Sequence, residues 1–280
     1  VHSSAFFLKA TPGQRLCVYH PPQANACRGM VLYLHPFAEE MNKARRMAAL
    51  QARALAQAGY AVLQLDLLGC GDSSGDFGDA SWQAWIDDAV LAAGWLRQQL
   101  RATGHAALPP LWLWGLRAGC LLAAATAARL EGGCNFLFWQ PASSGKALLQ
   151  QFLRLKAAGS MLDGKASDIL AGVRQQLAQG QSVEIAGYLL SAALSEGLEQ
   201  ATLAAPAAQA GANRLEIFEL SQREDAQLSP ASATLATRWR EQGFAVNGQV
   251  VSGPAFWQTT EIEDAPALLA ATVTAMAPAA

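Results

Sequence analysis

Apolar residues run along this chain in two alternating rhythms. Continuous apolar runs at 30–34, 111–114 and 136–139, and a mainly apolar one at 61–65, read as short strands buried on both faces. Between them, residues 43–59 carry Met47, Leu50, Ala54 and Leu55 at helical spacing, with Gly59 as the stop. Residues 82–100 read as a second helix, and a third is expected to begin near Arg117. Ahead of these, 5–8 and 15–20 predict an antiparallel pair turned by Pro12 and Gly13. Alternation of this kind predicts an α/β fold, a mostly parallel central sheet with helices on both faces.

The rhythm breaks at Pro141. From there to Ala205 the spacing predicts three helices and no strand. The first carries Leu148, Leu149, Phe152 and Leu155; the second Ile169, Leu170, Val173 and Leu177; the third Ile185, Leu189 and Ala193. Ser167 and Asp168 are the expected caps of the second. Alternation resumes with a strand at 215–220, a helix at 230–242, a strand at 246–252 and a helix at 265–276. The expected organisation is a core of residues 1–140 and 206–280 with a helical cap inserted at 141–205. The Ala/Pro-rich stretch 201–211 leads back from cap to core.

Composition narrows the function classes. At 280 residues and 52% hydrophobic content the chain can bury a substantial core, and a net charge of −2 offers no pull on nucleic acid or an anionic membrane. The five cysteines show neither a disulfide framework nor metal-ligand spacing, which predicts reduced thiols and a cytoplasmic protein. No apolar run approaches the ~20 residues that span a bilayer, and residues 1–9 do not read as a signal peptide. Gly69, Gly71 and Gly75 suggest a dinucleotide loop. Their spacing is two and four, with Ser74 where a third glycine belongs, so no cofactor is expected. Asp66 and Ser73 are expected to satisfy backbone groups of that loop.

The central motif is Gly115-Leu116-Arg117-Ala118-Gly119, placed between a strand and a helix. G-x-S-x-G in this setting forms the nucleophile elbow of an α/β-hydrolase fold, and here arginine holds the serine position. A guanidinium stays protonated and has no lone pair to attack a carbonyl, so the acyl-serine route is excluded at this residue. The loop His35-Pro36-Phe37-Ala38-Glu39-Glu40, after the strand at 30–34, would supply one oxyanion-hole amide from Phe37, the second coming from Ala118. Glu224 and Asp225, after the strand at 215–220, are the candidate acids. The histidine expected after 246–252 is missing: Phe256-Trp257-Gln258 stands there, and the four histidines all precede residue 110. Ser73, Cys120, Ser143, Ser144 and His35 are weaker candidates for a relocated centre, none with a partner group in view.

His35–Arg46 (HPFAEEMNKARR), the DLLGCGDSSG loop at 66–75, WGLRAG at 114–119, WQPASSGK at 139–146 and the segment 256–262 together resemble the exosortase A system-associated hydrolases, type 2. The resemblance spans nearly the whole chain. It implies a setting of exosortase-dependent surface-protein sorting and exopolysaccharide production, with a protein partner from that system. Two functions follow as expectations. One is a binding protein whose Arg117 receives an anionic ligand at a helix start, or is neutralised by Glu39, Glu40 or Asp225. The other is a hydrolase or acyltransferase-like enzyme acting on an ester, acyl or saccharide-linked substrate through unusual residues. His35, Glu39, Glu40, Gln140 and Trp257 are expected to line the pocket, with no metal site.

Overall fold

A computed structural model describes residues 2–24, 26–105, 107–157, 166–209 and 213–277. Ten strands and eight α-helices are found among them. The main sheet has eight strands in the order β1-β2-β4-β3-β5-β6-β9-β10. β1 (Ser4–Lys9), β2 (Gln14–His20) and β4 (Tyr60–Leu65) pair antiparallel, and the remaining pairs are parallel through β3 (Gly29–Leu34), β5 (Leu111–Leu116), β6 (Asn135–Trp139), β9 (Arg214–Ser221) and β10 (Ala245–Ser252). The predicted parallel sheet with helices on both faces is what the chain forms.

β3, β5 and β6 are buried at every position because both faces are covered. α1 (Glu39–Gln57) and α8 (Pro266–Met276) cover one face, sharing a core with Tyr33, Trp114, Trp139 and Phe218. α2 (Trp82–Ala102), α3 (Ala118–Ala127) and α7 (Pro230–Glu241) cover the other, around Leu113, Phe136, Phe138 and Trp239. α1 begins four residues before the expected Lys43. Ala38 turns the chain at φ 51°, and the first helical turn then takes Glu39 and Glu40, carboxylates suited to a helix N-terminus. The glycine loop is structural as expected: the Ser73 hydroxyl donates to the Asp66 carbonyl and accepts from the Leu16 amide, while Asp66 Oδ2 accepts from the Asp72 amide.

Between β6 and β9 lie α4 (Gly145–Ala157), α5 (Ala166–Ala178) and α6 (Ala192–Gln200). Ser167 and Asp168 sit inside the first turn of α5, not ahead of it. The segment also contains two strands where none was expected. β7 (Val183–Ile185) and β8 (Tyr188–Leu190) form a hairpin turned by Ala186 and Gly187, both at positive φ. That turn chemistry overrides the helical spacing of Ile185 and Leu189, and α6 starts only after the Ser191 cap. The inserted elements dock on the core through aromatic edges. Phe152 of α4 meets Phe37 with ring centres 5.0 Å apart, and Tyr188 meets Phe77 at 5.0 Å.

Candidate functional site

β5 ends in a sharp turn into α3 that the sequence builds in three ways. Arg117 takes φ 55° and ψ −112°, outside the regions open to most side chains, and is held there by its amide donating to the Trp139 carbonyl at 3.0 Å. Its own carbonyl accepts from the Cys120 amide at 3.1 Å. Gly115 and Gly119 permit the close approach: a Cβ on the first would meet the Cys120 amide, and one on the second the Leu34 carbonyl. Among the described residues neither the Phe37 nor the Ala118 amide donates to an acceptor, so two N–H groups stand uncommitted beside the turn.

Arg117 itself is engaged from inside the chain. Its Nε donates to Glu40 Oε1 at 3.3 Å, its Nη2 donates to Gln151 Oε1 at 3.1 Å, and its guanidinium carbon lies 5.9 Å from the centre of the Trp257 ring. The contact with Glu40 is single, so the fork of Arg117 is shared between a carboxylate on α1 and an amide on α4. The side chains of Arg117 and Glu40 are only 13% and 11% exposed. Burial raises the pKa of Glu40 above the ordinary carboxylate value, and the Arg117 charge opposes that shift without cancelling it.

A cavity of about 210 Å³ adjoins this pair. Phe37, Leu148, Phe152 and Leu155 form its apolar wall; Glu39, Glu40, Lys43, Gln151, Trp257 and Gln258 supply the polar groups. Oε2 of Glu39, Oε2 of Glu40 and Nε1 of Trp257 are buried without a protein partner. The cavity brings together Phe37, Glu39, Glu40 and Trp257.

Other candidates stand elsewhere. His35 is not in this cavity: its Nδ1 faces the Pro36 carbonyl at 2.8 Å and its Nε2 accepts from the Leu67 amide at 3.4 Å, which pins the ring as a structural group. Burial keeps it neutral, the pKa falling below the ordinary imidazole value. Gln140 likewise serves the backbone, its Oε1 accepting from the Leu220 amide at 2.9 Å. Glu224 and Asp225 are exposed on the loop after β9, and neither forms an ion pair with Arg117. β9 carries two buried carboxylates: Glu216, held by Arg214 and Asn247, and Glu219, which accepts from the Ser229 amide and from the Ser229 and Ser232 hydroxyls at the start of α7. Ser144 caps α4, and Cys120 is wholly buried with its thiol held far above the ordinary pKa by desolvation. Gln151, Lys43 and Gln258 were missed. Gln258 stands where the histidine was sought, one residue past Trp257; Gln151 gives no signal, since only tertiary packing brings α4 over the turn.

Sheet order, the strained strand-to-helix turn and the paired glycines define an α/β-hydrolase. The family model for serine aminopeptidase, S33, matches residues 25–168, just over half of the chain, and the chain belongs to that family. No protein with a curated description matches the sequence. Among solved structures, a serine hydrolase of Xanthomonas campestris described as lacking a lid is 16% identical, with 99% of this chain and 92% of that one covered and a TM-score of 0.56. A soluble variant of the Saccharomyces cerevisiae monoglyceride lipase, in complex with a substrate analogue, is 15% identical over 99% and 95%, TM-score 0.63. Est1E of Butyrivibrio proteoclasticus with bound ferulic acid is 14% identical over 97% and 96%, TM-score 0.62. At these identities the likeness is one of fold.

Proposed function

We propose that this α/β-hydrolase has exchanged acyl-serine chemistry for binding. The observation that carries the reading is the side chain at the elbow: Arg117 holds the nucleophile position, and Glu40 and Gln151 occupy its guanidinium. A residue with no lone pair cannot form the acyl intermediate, and no histidine stands in the Phe256-Trp257-Gln258 segment to serve as base. The ligand would sit in the cavity of about 210 Å³ between the turn and α4, with residues 141–205 as the cap that closes it. Because Arg117 is already met by a carboxylate, we assign the site to a ligand that bears hydrogen-bond donors for Glu39 and Glu40, replacing the purely anionic ligand the arginine first suggests.

The resemblance to the exosortase A system-associated hydrolases, type 2, supports placing the protein in a bacterium that makes exopolysaccharide, with a partner from that system, and the unpaired cysteines support a cytoplasmic location. An enzymatic reading has one observation in its favour, the uncommitted amides of Phe37 and Ala118, which are a usable oxyanion hole for a nucleophile supplied from elsewhere. A fluorophosphonate probe and activated short-chain esters separate the two. The binding reading expects no labelled serine and no ester turnover above buffer. Stoichiometric labelling, mapped by peptide mass spectrometry, would overturn it.

A further inference from the structure

A second cavity, of about 340 Å³, opens on the α1 side of the sheet where β2, β4 and β3 run past the helix. It shares no lining residue with the cavity beside Arg117, and its volume lies in the range of small-molecule sites. Its polar groups are mostly donors. Tyr33 is 5% exposed, lines the cavity, and its hydroxyl has no hydrogen-bond partner among the described residues. That hydroxyl opens onto the cavity and is free to donate to a ligand oxygen.

Two guanidiniums flank the same space. Arg45 is offset by Asp66, Nη2 to Oδ2 3.0 Å. Arg53 has no carboxylate within ion-pair distance among the described residues, and its charge acts on His20, whose pKa is lowered by burial and by Arg53. His20 is therefore neutral and already engaged, between Ser3 Oγ at 2.7 Å and Gln64 Oε1 at 3.0 Å, which leaves the Gln64 amide nitrogen as a further donor. The charge balance is one surplus cation. Leu16, Val18, Ala48 and Ala49 add apolar lining.

We propose that this cavity binds a small organic anion with an apolar body, its acidic head received by Arg53 and the Tyr33 hydroxyl. An ammonium ligand would add to the surplus positive charge, and a neutral one would make no charge-assisted contact with Arg53. The proposal stands apart from the reading of the Arg117 site, and either can fail alone.

Calorimetric titration of the intact protein tests it with four probes: phenylacetate, phenyl phosphate, inorganic phosphate and 2-phenylethanol. The two aromatic acids are expected to bind, with the alcohol and inorganic phosphate each weaker by about ten-fold or more, the loss expected on removing a charge-assisted contact or the apolar body. Arg53→Gln and Tyr33→Phe should each weaken phenylacetate by about five-fold or more. Both changes are mild, one at an exposed position and one isosteric, and thermal melts verify that the variants fold. Gln151→Ala, in the other cavity, should leave the affinity unchanged. No binding of either aromatic acid at millimolar concentration overturns the proposal. So does equal binding of the alcohol, or a loss on Gln151→Ala that Arg53→Gln does not show.

Discussion

The turn from β5 into α3 and the loops that follow β9 and β10 have had opposite fates. The first retains the backbone of a hydrolase: Arg117 at φ 55°, glycines where a Cβ would strike the Cys120 amide or the Leu34 carbonyl, and two free amides. The second offers no acid or histidine at the turn among the candidate residues. Its carboxylates, Glu224 and Asp225, face solvent, and Gln258, next to a buried Trp257, stands in the place sought for a histidine. The difference shows what each part owes to packing. The turn is built into the sheet, so changing its backbone would unseat β3 and β6; side chains on the loops after β9 and β10 can be exchanged while the core stays packed.

The largest effect should come from the turn. Gly119→Ala places a methyl on the Leu34 carbonyl, a backbone atom that cannot swing aside, and should cost about 3 kcal/mol in denaturant unfolding, or prevent folding. Glu224→Ala and Asp225→Ala, made in parallel, should stay within about 0.5 kcal/mol of the parent. Equal losses on both sides would dissolve the contrast.

Next comes the ion pair at the turn. Glu40→Gln leaves Arg117 with amide partners only, in a place where both side chains are nearly buried, and should destabilise by about 2–3 kcal/mol, below the full cost of a wholly buried pair. A double-mutant cycle with Arg117→Met should return a coupling of about 1–2 kcal/mol. Additive losses would mean that the two side chains only share a wall. Arg117→Ser then isolates the chemistry: with both ring nitrogens of the neighbouring His35 committed to backbone groups, the introduced serine should show no ester turnover, although both oxyanion amides are in place. Turnover by this variant would point to a base in the structure that the candidate residues do not include.

How much of this was legible follows the same division. The core strands were readable because each is a continuous apolar run with one possible environment, buried on both faces. The turn was readable because two glycines and a strand–helix boundary are local facts. The β7–β8 hairpin was not, since Ile185 and Leu189 fit a helical spacing and only the positive φ at Ala186 and Gly187 decides against it. Nor was the role of His35, whose position in the loop suggests a pocket residue while its two ring nitrogens are committed to backbone groups. Gln151 reaches Arg117 across 34 positions of chain, a contact that only docking of α4 creates.

The smallest effect concerns that histidine, and it extends the contrast to pH. His35 is folded in the neutral form, its pKa lowered chiefly by burial, with Asp66 and the Pro36 carbonyl raising it and Arg45 lowering it. For such a group the unfolded chain binds the proton more readily than the folded one. Stability is then fully present above the unfolded value near 6.5 and is lost as the pH falls from there toward the lowered folded value. Each unit of lowering is worth about 1.4 kcal/mol. His20 acts with the same sign, while Glu40 and Asp88, both raised by burial, act with the opposite sign: acid relieves the cost of burying their charge as the pH falls through their folded values. The net curve mixes these terms, so the measurement is a difference. His35→Gln keeps a donor and an acceptor but does not titrate. Its urea-derived stability should fall less steeply than the parent's between about pH 6.5 and 5.5, a window set by the ordinary imidazole value. Parallel curves for parent and variant across that window would show that His35 takes up its proton in the folded protein as freely as in the unfolded chain, and the structural role assigned to its two hydrogen bonds would be wrong.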